Sequence, residues 1–593
     1  MRLRRQSSQP ISLSDSLLSR FQAQSGGRTS SATSTALFTL LLSLYWAVTA
    51  NRPMFAAALG DRRGDDPATW AFMAALATAL VALNIGLLNL VALLTGRRAF
   101  KPVVALLIVI TALAAHYMDR FGVYLDATML RNVLHTQPSE ARELIGASLL
   151  WHLLLYAGVP LLVLWRWPPP APRWRSHAGG AVAGLLLAVL VLVVAVLAMF
   201  QPFAALMRNH KEVRYLLTPA NVLYATGRVL ASDTRNAVVA RKPIGLDAAP
   251  GPRMLARKKP TLLVVVVGET ARAANWGLNG YERQTTPKLA ALPVINFRQV
   301  TSCGTNTETS LPCLFAPVGR RDYDEARIRG EQSLLHVLAR AGVQVSWRDN
   351  QSGCKGVCDG LPVEQVREVN PTAWCRGDHC LDEGLLDGVD RRLATASGTQ
   401  VWVLHQLGNH GPSYFRRYPP AFARFEPACE EDDLARCSRQ GIVNAYDNAL
   451  LYTDHVLATL IERLQASAAT VDSAMVYVSD HGESLGENRL YLHGMPYAIA
   501  PEVQTRVPMV MWMSEGFRQA GGLDSGCLAR RAAEPATHDH LFHTVLGLVD
   551  VRTGLYEPGW DLASGCRAPA PVPSPSPAPA PAPLGTAAPR AAP

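Results

Sequence analysis

Leu262-Leu263-Val264-Val265-Val266-Val267-Gly268-Glu269-Thr270 is an unbroken apolar run that ends on a glycine, a carboxylate and a hydroxyl. A run this short, β-branched and continuous reads as a strand buried on both faces. Similar runs recur at 294–300, 343–347, 401–407, 474–478 and 507–513, with helix-like segments such as 333–341, 442–465 and 538–549 between them. That alternation predicts a mostly parallel sheet in an α/β domain spanning residues 260–566.

Four of the runs end in chemically useful residues. The first leads into Gly268-Glu269-Thr270, the fourth into Gly408-Asn409-His410-Gly411, and the fifth into Ser479-Asp480-His481-Gly482-Glu483. The second leads into Thr301-Ser302-Cys303-Gly304-Thr305-Asn306-Thr307-Glu308-Thr309-Ser310-Leu311-Pro312-Cys313, a hydroxyl-rich loop bracketed by two cysteines. Open α/β sheets build their sites outside the carboxyl ends of the strands. The sheet is therefore expected to gather Glu269, Thr307, His410, Asp480 and His481 along one rim, with His493 one loop further on. One carboxylate at a strand end is more often a helix cap, and one histidine is more often structural. Their joint occurrence is what points to a site.

Mixed Asp/Glu/His ligation with a hydroxyl oxygen suits Zn²⁺ or Mn²⁺ better than Ca²⁺ or Mg²⁺. A threonine hydroxyl is a poor nucleophile until a base or a metal lowers its pKa. A cation at Thr307 would favour the alkoxide and polarise a phosphoryl oxygen. If Thr307 opens a helix over 308–315, backbone N–H groups would face the incoming anion. His410 and His493 remain to stabilise the phosphate or to protonate a leaving alcohol. Lys355 is either a solvated surface lysine or a further positive charge near the phosphate.

The first half of the 593-residue chain is different. Apolar stretches at 35–55, 70–94, 102–118, 145–166 and 179–200 are each near the ~20 residues that cross a bilayer as a helix. Arg2, Arg4 and Arg5, then Arg97, Arg98 and Lys101, then Arg166, Arg173 and Arg175 fall on one side, which the positive-inside rule makes cytoplasmic. Five crossings put everything after residue 200 on the other side. All ten cysteines lie in that later part, an even count that reads as a disulfide framework in an oxidising compartment. Their order suggests Cys303/Cys313, Cys354/Cys358, Cys375/Cys380, Cys429/Cys437 and Cys527/Cys566.

The division expected is an arm at 1–33, a membrane domain at 34–200, an amphipathic connector at 201–259, a catalytic domain at 260–566 and an Ala/Pro-rich tail at 567–593. The segment 117–144 carries Asn132 and Glu140 and has a helical rhythm. It reads as an interfacial helix with solvated polar groups. The net charge of +10 comes largely from interhelical loops and termini, and no RNA-binding signature accompanies it, so nucleic acid is not expected.

The chain resembles the phosphoethanolamine–lipid A transferases, the family that includes the mobile colistin-resistance enzymes, whose catalytic domain is of the sulfatase/alkaline-phosphatase type. The resemblance rests on Val267-Gly268-Glu269-Thr270-Ala271-Arg272, Ser302-Cys303-Gly304-Thr305-Asn306-Thr307, Gly408-Asn409-His410-Gly411-Pro412, Ser479 to Asn488, and Leu492-His493-Gly494. In the membrane half it rests on Tyr117-Met118-Asp119, Asn132 to Thr136 and Arg208 to Glu212.

It implies zinc held by Glu269, Thr307, Asp480 and His481, and Thr307 as the carrier of phosphoethanolamine. His410 and His493 match positions that contact substrate or a second zinc, and Asn132 and Glu140 match contacts to the donor lipid. The implied reaction moves phosphoethanolamine from phosphatidylethanolamine to lipid A, in a monomeric inner-membrane enzyme with a periplasmic catalytic domain. The rivals are transfer to a lipopolysaccharide core sugar, phosphodiester hydrolysis or phosphoglycerol transfer on the same scaffold, and a non-enzymatic envelope sensor.

Overall fold

The strand Thr261–Gly268 (β1) is buried along its whole length in a computed structural model that describes residues 36–60, 62–136, 138–166, 174–236, 241–377 and 379–568. The expected arm, Arg173 and nearly all of the expected tail lie outside these residues. The other strands of the same sheet are β2 (Ile295–Thr301), β3 (Gln344–Asp349), β4 (Val363–Gln365), β5 (Thr399–His405), β6 (Asp472–Ser479), β7 (Arg506–Met513) and β8 (Ala536–Thr537). Their order is β8-β2-β7-β6-β1-β5-β3-β4. All six apolar runs are strands, and the two short edge strands β4 and β8 have no counterpart among them.

Side chains alternate across a strand, so a run buried on both faces feeds two cores. Leu263, Val265 and Val267 pack with Phe297, Val401, Val403 and Val476. Leu262, Val264 and Val266 pack with Trp402, Met475, Tyr477 and the long helix Arg439–Ala466, through Ala445, Ala449 and Leu457. Each such aliphatic side chain contributes about 1.5–3 kcal/mol when fully buried.

β1 is parallel to both β5 and β6. β7 runs antiparallel to β2 and β6. Its carboxyl end therefore points away from the common rim, which is why the run at 507–513 leads into no site residue.

Among the described residues of the first half, four helices are long and apolar enough to cross a membrane: Pro67–Gly96, Arg98–Phe121, Ala147–Arg166 and Ala178–Ala198. The first expected crossing contains the shorter apolar helix Ala36–Thr49, with a second helix, Arg52–Leu59, after it. Gly96, at φ 63°, turns the chain between the first two long helices. Leu88 and Ala92 consequently pack near Phe100 and Val104. Phe72 and Leu76 share a cluster with Ala114 and Met118. The connector returns to this bundle, burying Leu206, Val213 and Val222 against it.

The segment expected to be a solvated interfacial helix is packed instead. Its helix Ala127–Leu134 starts at Asp126, whose carboxylate accepts from the Met129 N–H at 2.8 Å. Arg131, Glu140 and Glu143 are all buried. Arg131 pairs with Glu325, Arg120 with Asp433, and Glu143 with Arg417, so the segment is clamped to the second half by ions. Its amphipathic pattern was legible in sequence. The charged partners that bury its polar side were not, because they come from far along the chain.

Candidate active site

Three parallel strand ends supply the centre of the rim. Glu269 follows β1, Asp480 follows β6, and His405 closes β5 just before the loop that carries His410. The Asp480 N–H donates to Gly268 O at 2.9 Å, which fixes the two carboxylate-bearing turns side by side. Gly408, at φ +54°, lies so close to β1 that a Cβ there would fall 2.6 Å from Glu269 O. Thr270 holds a left-handed φ of 55° without being a glycine, a backbone cost of order 1–3 kcal/mol of the sort found at functional sites.

Glu269, Asp480 and His481 are fully buried, and each offers a ligating atom within 4.8 Å of the others. His481 Nε2 lies 3.3 Å from Glu269 Oε1 and 3.4 Å from Asp480 Oδ2. Its Nδ1–H donates to Gly482 O at 2.9 Å, leaving Nε2 to face the carboxylates. Thr307 joins the group: its hydroxyl lies 3.0 and 3.3 Å from the two Glu269 oxygens and 3.4 Å from His481 Nε2.

Two buried carboxylates this close call for positive charge. Burial and the neighbouring Glu269 charge raise the Asp480 carboxyl. Burial alone would lower His481, but Asp480 and Glu269 together push it up to about 10. Asp480 Oδ2 is buried with no hydrogen-bond partner among the described residues, an expensive state for a carboxylate oxygen unless a cation meets it. The donor set of two carboxylates, an imidazole and a hydroxyl therefore fits a divalent metal of the zinc type.

The Thr307 helix, Thr307–Leu314, begins at Asn306, whose side chain accepts from the Thr309 N–H at 2.9 Å. It starts at Thr307 itself, one residue before the expected 308. The Cys303–Cys313 disulfide ties its last turn to the preceding loop. The other cysteines are joined as Cys354–Cys358, Cys375–Cys380, Cys429–Cys437 and Cys527–Cys566.

His493 sits beside the centre, its ring 4.5 Å from that of His481 and 5.3 Å from that of His410. Its Nδ1–H donates to Glu483 at 2.8 Å, and Tyr414 donates to the other oxygen of Glu483 at 2.6 Å. Burial drives His410 down to about 3, so its ring is neutral.

Lys355 is not a solvated lysine: its side chain is 8% exposed and its Nζ lies 3.7 Å from Glu308, the residue after Thr307. Glu308 also meets Arg329 at 3.0 Å and His135 of the membrane half at 3.1 Å. Glu140 lines a cavity of about 200 Å³ with Gln351, His379 and Leu407. Burial, then the Glu269 charge, pushes its carboxyl up to about 7. Asn132 is half-buried on the helix that packs against the Thr307 helix, and it is not part of the carboxylate–imidazole cluster.

Several site residues escaped the sequence reading. Gln351 donates to Glu269 at 3.0 Å and lies just past the end of β3. The strand-end rule that found Glu269 would have found it too. His538 accepts from the Cys303 N–H at 3.1 Å and donates to Ser479 O at 3.0 Å, stitching the Thr307 loop to the Asp480 turn. A histidine at the head of a helix gives no such signal in sequence.

The domain that carries this buried acid–base cluster, with a hydroxyl aimed at it from a helix start, is sulfatase-like. Residues 261–551 match the sulfatase family model. Residues 80–234 match the family model of phosphoethanolamine transferase EptA/EptB. The chain is similar to the phosphoethanolamine transferase EptA of Escherichia coli K12, at 38% identity over 79% of this chain and 86% of that one. It is equally similar to the phosphatidylethanolamine transferase Mcr-1 of Escherichia coli, at 38% identity over 80% and 88% of the two chains. Its structure superposes on the integral membrane lipooligosaccharide phosphoethanolamine transferase A of Neisseria meningitidis with a TM-score of 0.84 and 37% identity, covering 90% of this chain and 99% of that one. The chain belongs to the phosphoethanolamine transferase family.

Proposed function

We propose that this chain transfers phosphoethanolamine from phosphatidylethanolamine to a phosphate group of lipid A, with Thr307 as the covalent carrier. The observation that carries this reading is the Thr307 hydroxyl, 3.0 Å from Glu269 and 3.4 Å from His481 at the start of a helix. In the first step Thr307 Oγ attacks phosphorus and passes its proton to Glu269, 3.0 Å away. The bond from phosphorus to the diacylglycerol oxygen breaks, and that oxygen takes a proton from His493, while the neutral His410 is left to stabilise the phosphate. In the second step a lipid A phosphate oxygen attacks the same phosphorus, and Thr307 leaves and recovers its proton. A zinc ion held by Glu269, Thr307, Asp480 and His481 would lower the hydroxyl pKa and polarise a phosphoryl oxygen, and a second could bind toward His410 and His493. The helix N-terminus offers N–H groups to the anion, Lys355 adds positive charge near the phosphate, and Asn132 and Glu140 are assigned to the donor lipid.

The product carries an added ammonium group, which lowers the negative charge of the outer membrane and weakens binding of polymyxin and other cationic peptides. We place the protein in the bacterial inner membrane as a monomer with five crossings, counting Ala36–Thr49 in the first. An α/β/α catalytic domain over 260–566 then lies in the periplasm. Five disulfides and the shared side of Arg98, Lys101 and Arg166 support that orientation. Lipid A from cells expressing the chain should gain the mass of phosphoethanolamine, and T307A should abolish both that gain and the labelled enzyme intermediate. A gain of glycerol phosphate, or modification by T307A at the normal rate, would overturn the reading.

A further inference from the structure

One buried arginine joins the main chain of His410 to the membrane half. Its ring Nδ1 is buried with no hydrogen-bond partner among the described residues, which leaves the packing against His493 and the position of the main chain to set where the ring sits. That main chain is held by Arg417, whose Nε–H donates to His410 O at 2.6 Å. Arg417 is 3% exposed, and its Nη2 donates to both oxygens of Glu143 at 2.7 and 3.0 Å. Glu143 ends the short helix Pro138–Glu143 in the segment between two membrane helices, and also meets His379 Nε2 at 3.1 Å. A guanidinium offers its donors in one rigid plane, so holding Nη2 on a carboxylate restricts the direction in which Nε can point. Without Glu143, Arg417 would be a buried cation with no carboxylate at Nη2, and it would move or draw in water.

We propose that Arg417 is a positioning residue for His410 and that Glu143 is its anchor, so the active site is complete only while the membrane and catalytic halves are docked. The inference rests on the proposed phosphoethanolamine transfer for its catalytic consequence, and on the main-chain tether alone for its structural one.

The test uses the full-length protein in detergent with phosphatidylethanolamine and lipid A. E143Q keeps the shape and removes the charge, R417K keeps the charge and removes the rigid link between Nη2 and Nε, and E143D is the conservative rescue. R416Q, at an exposed pair with Asp432, is the matched control. E143Q and R417K should lower kcat by about tenfold to a hundredfold, with KM for both lipids within about twofold. E143D should recover part of kcat, and R416Q should match the wild type. Amide exchange over 407–418 should speed up in E143Q.

Unchanged exchange at 407–418 overturns the clasp, whatever the activity. Faster exchange with unchanged kcat overturns its role in positioning. A raised KM at constant kcat would make Glu143 a lipid contact and also overturns it. Faster exchange in a chain whose wild type moves no phosphoethanolamine supports the tether and sinks the proposed function instead.

Discussion

The carboxylate–imidazole centre and the rim around it are held in opposite ways. Glu269, Asp480 and His481 hang from adjacent parallel strands, Thr307 from a helix closed by a disulfide, and His538 bonds the two turns together. Every one of those constraints lies inside the catalytic half. Glu308 instead meets His135, and Arg417, which holds the His410 main chain, meets Glu143, both in the segment between membrane helices that also carries Glu140. Sheet hydrogen bonds and apolar burial give a rigid centre. Ion pairs between the halves hold the rim.

That contrast breaks first at the centre. D480N should abolish transfer and strip the bound metal, read by elemental analysis of the purified protein, while the disulfide pattern stays intact. Metal retained at wild-type stoichiometry would remove Asp480 from the ligand set.

A smaller effect comes from pH. Burial holds His538 neutral, down to about 3 in the folded chain, whereas an unfolded histidine binds a proton below about 6.5. Between those values the unfolded state carries more protons. The stability that His538 contributes is therefore present above pH 6.5 and lost as the pH falls toward 3, at up to about 1.4 kcal/mol per pH unit. H538Q should start less stable and lose less on acidification, read from denaturant midpoints between pH 7 and 4.5. Equal slopes in the two proteins would show that His538 does not set the acid limit of the centre.

The smallest effect belongs to the rim. D126A removes the side-chain cap of the helix Ala127–Leu134, worth about 1 kcal/mol. It should speed amide exchange in 127–134 while leaving exchange at 472–481 unchanged. Faster exchange in β6 would mean that centre and rim are one cooperative unit.

How far the molecule was legible depends on the same division. β1 could be read from Leu262 to Val267 because a strand buried on both faces has no polar position to spare. The carboxyl-end rule then placed Glu269, Asp480 and His481 together without any knowledge of strand order, since parallel neighbours present their ends at one edge. The burial of Lys355 and the docked state of the segment around Asn132 could not be read. A charged side chain looks the same in sequence whether water or an opposite charge surrounds it.

Local periodicity and residues attached to strand ends are enough to reveal the two-part character of the chain, its strands, its rim residues and the motifs that mark the family. Only the tertiary structure decided that Glu143 meets Arg417 across 274 residues, that His538 bridges two site turns, and that β7 runs against its neighbours. Such pairings depend on which distant groups the packed backbone brings within hydrogen-bond reach, and no local pattern encodes that distance.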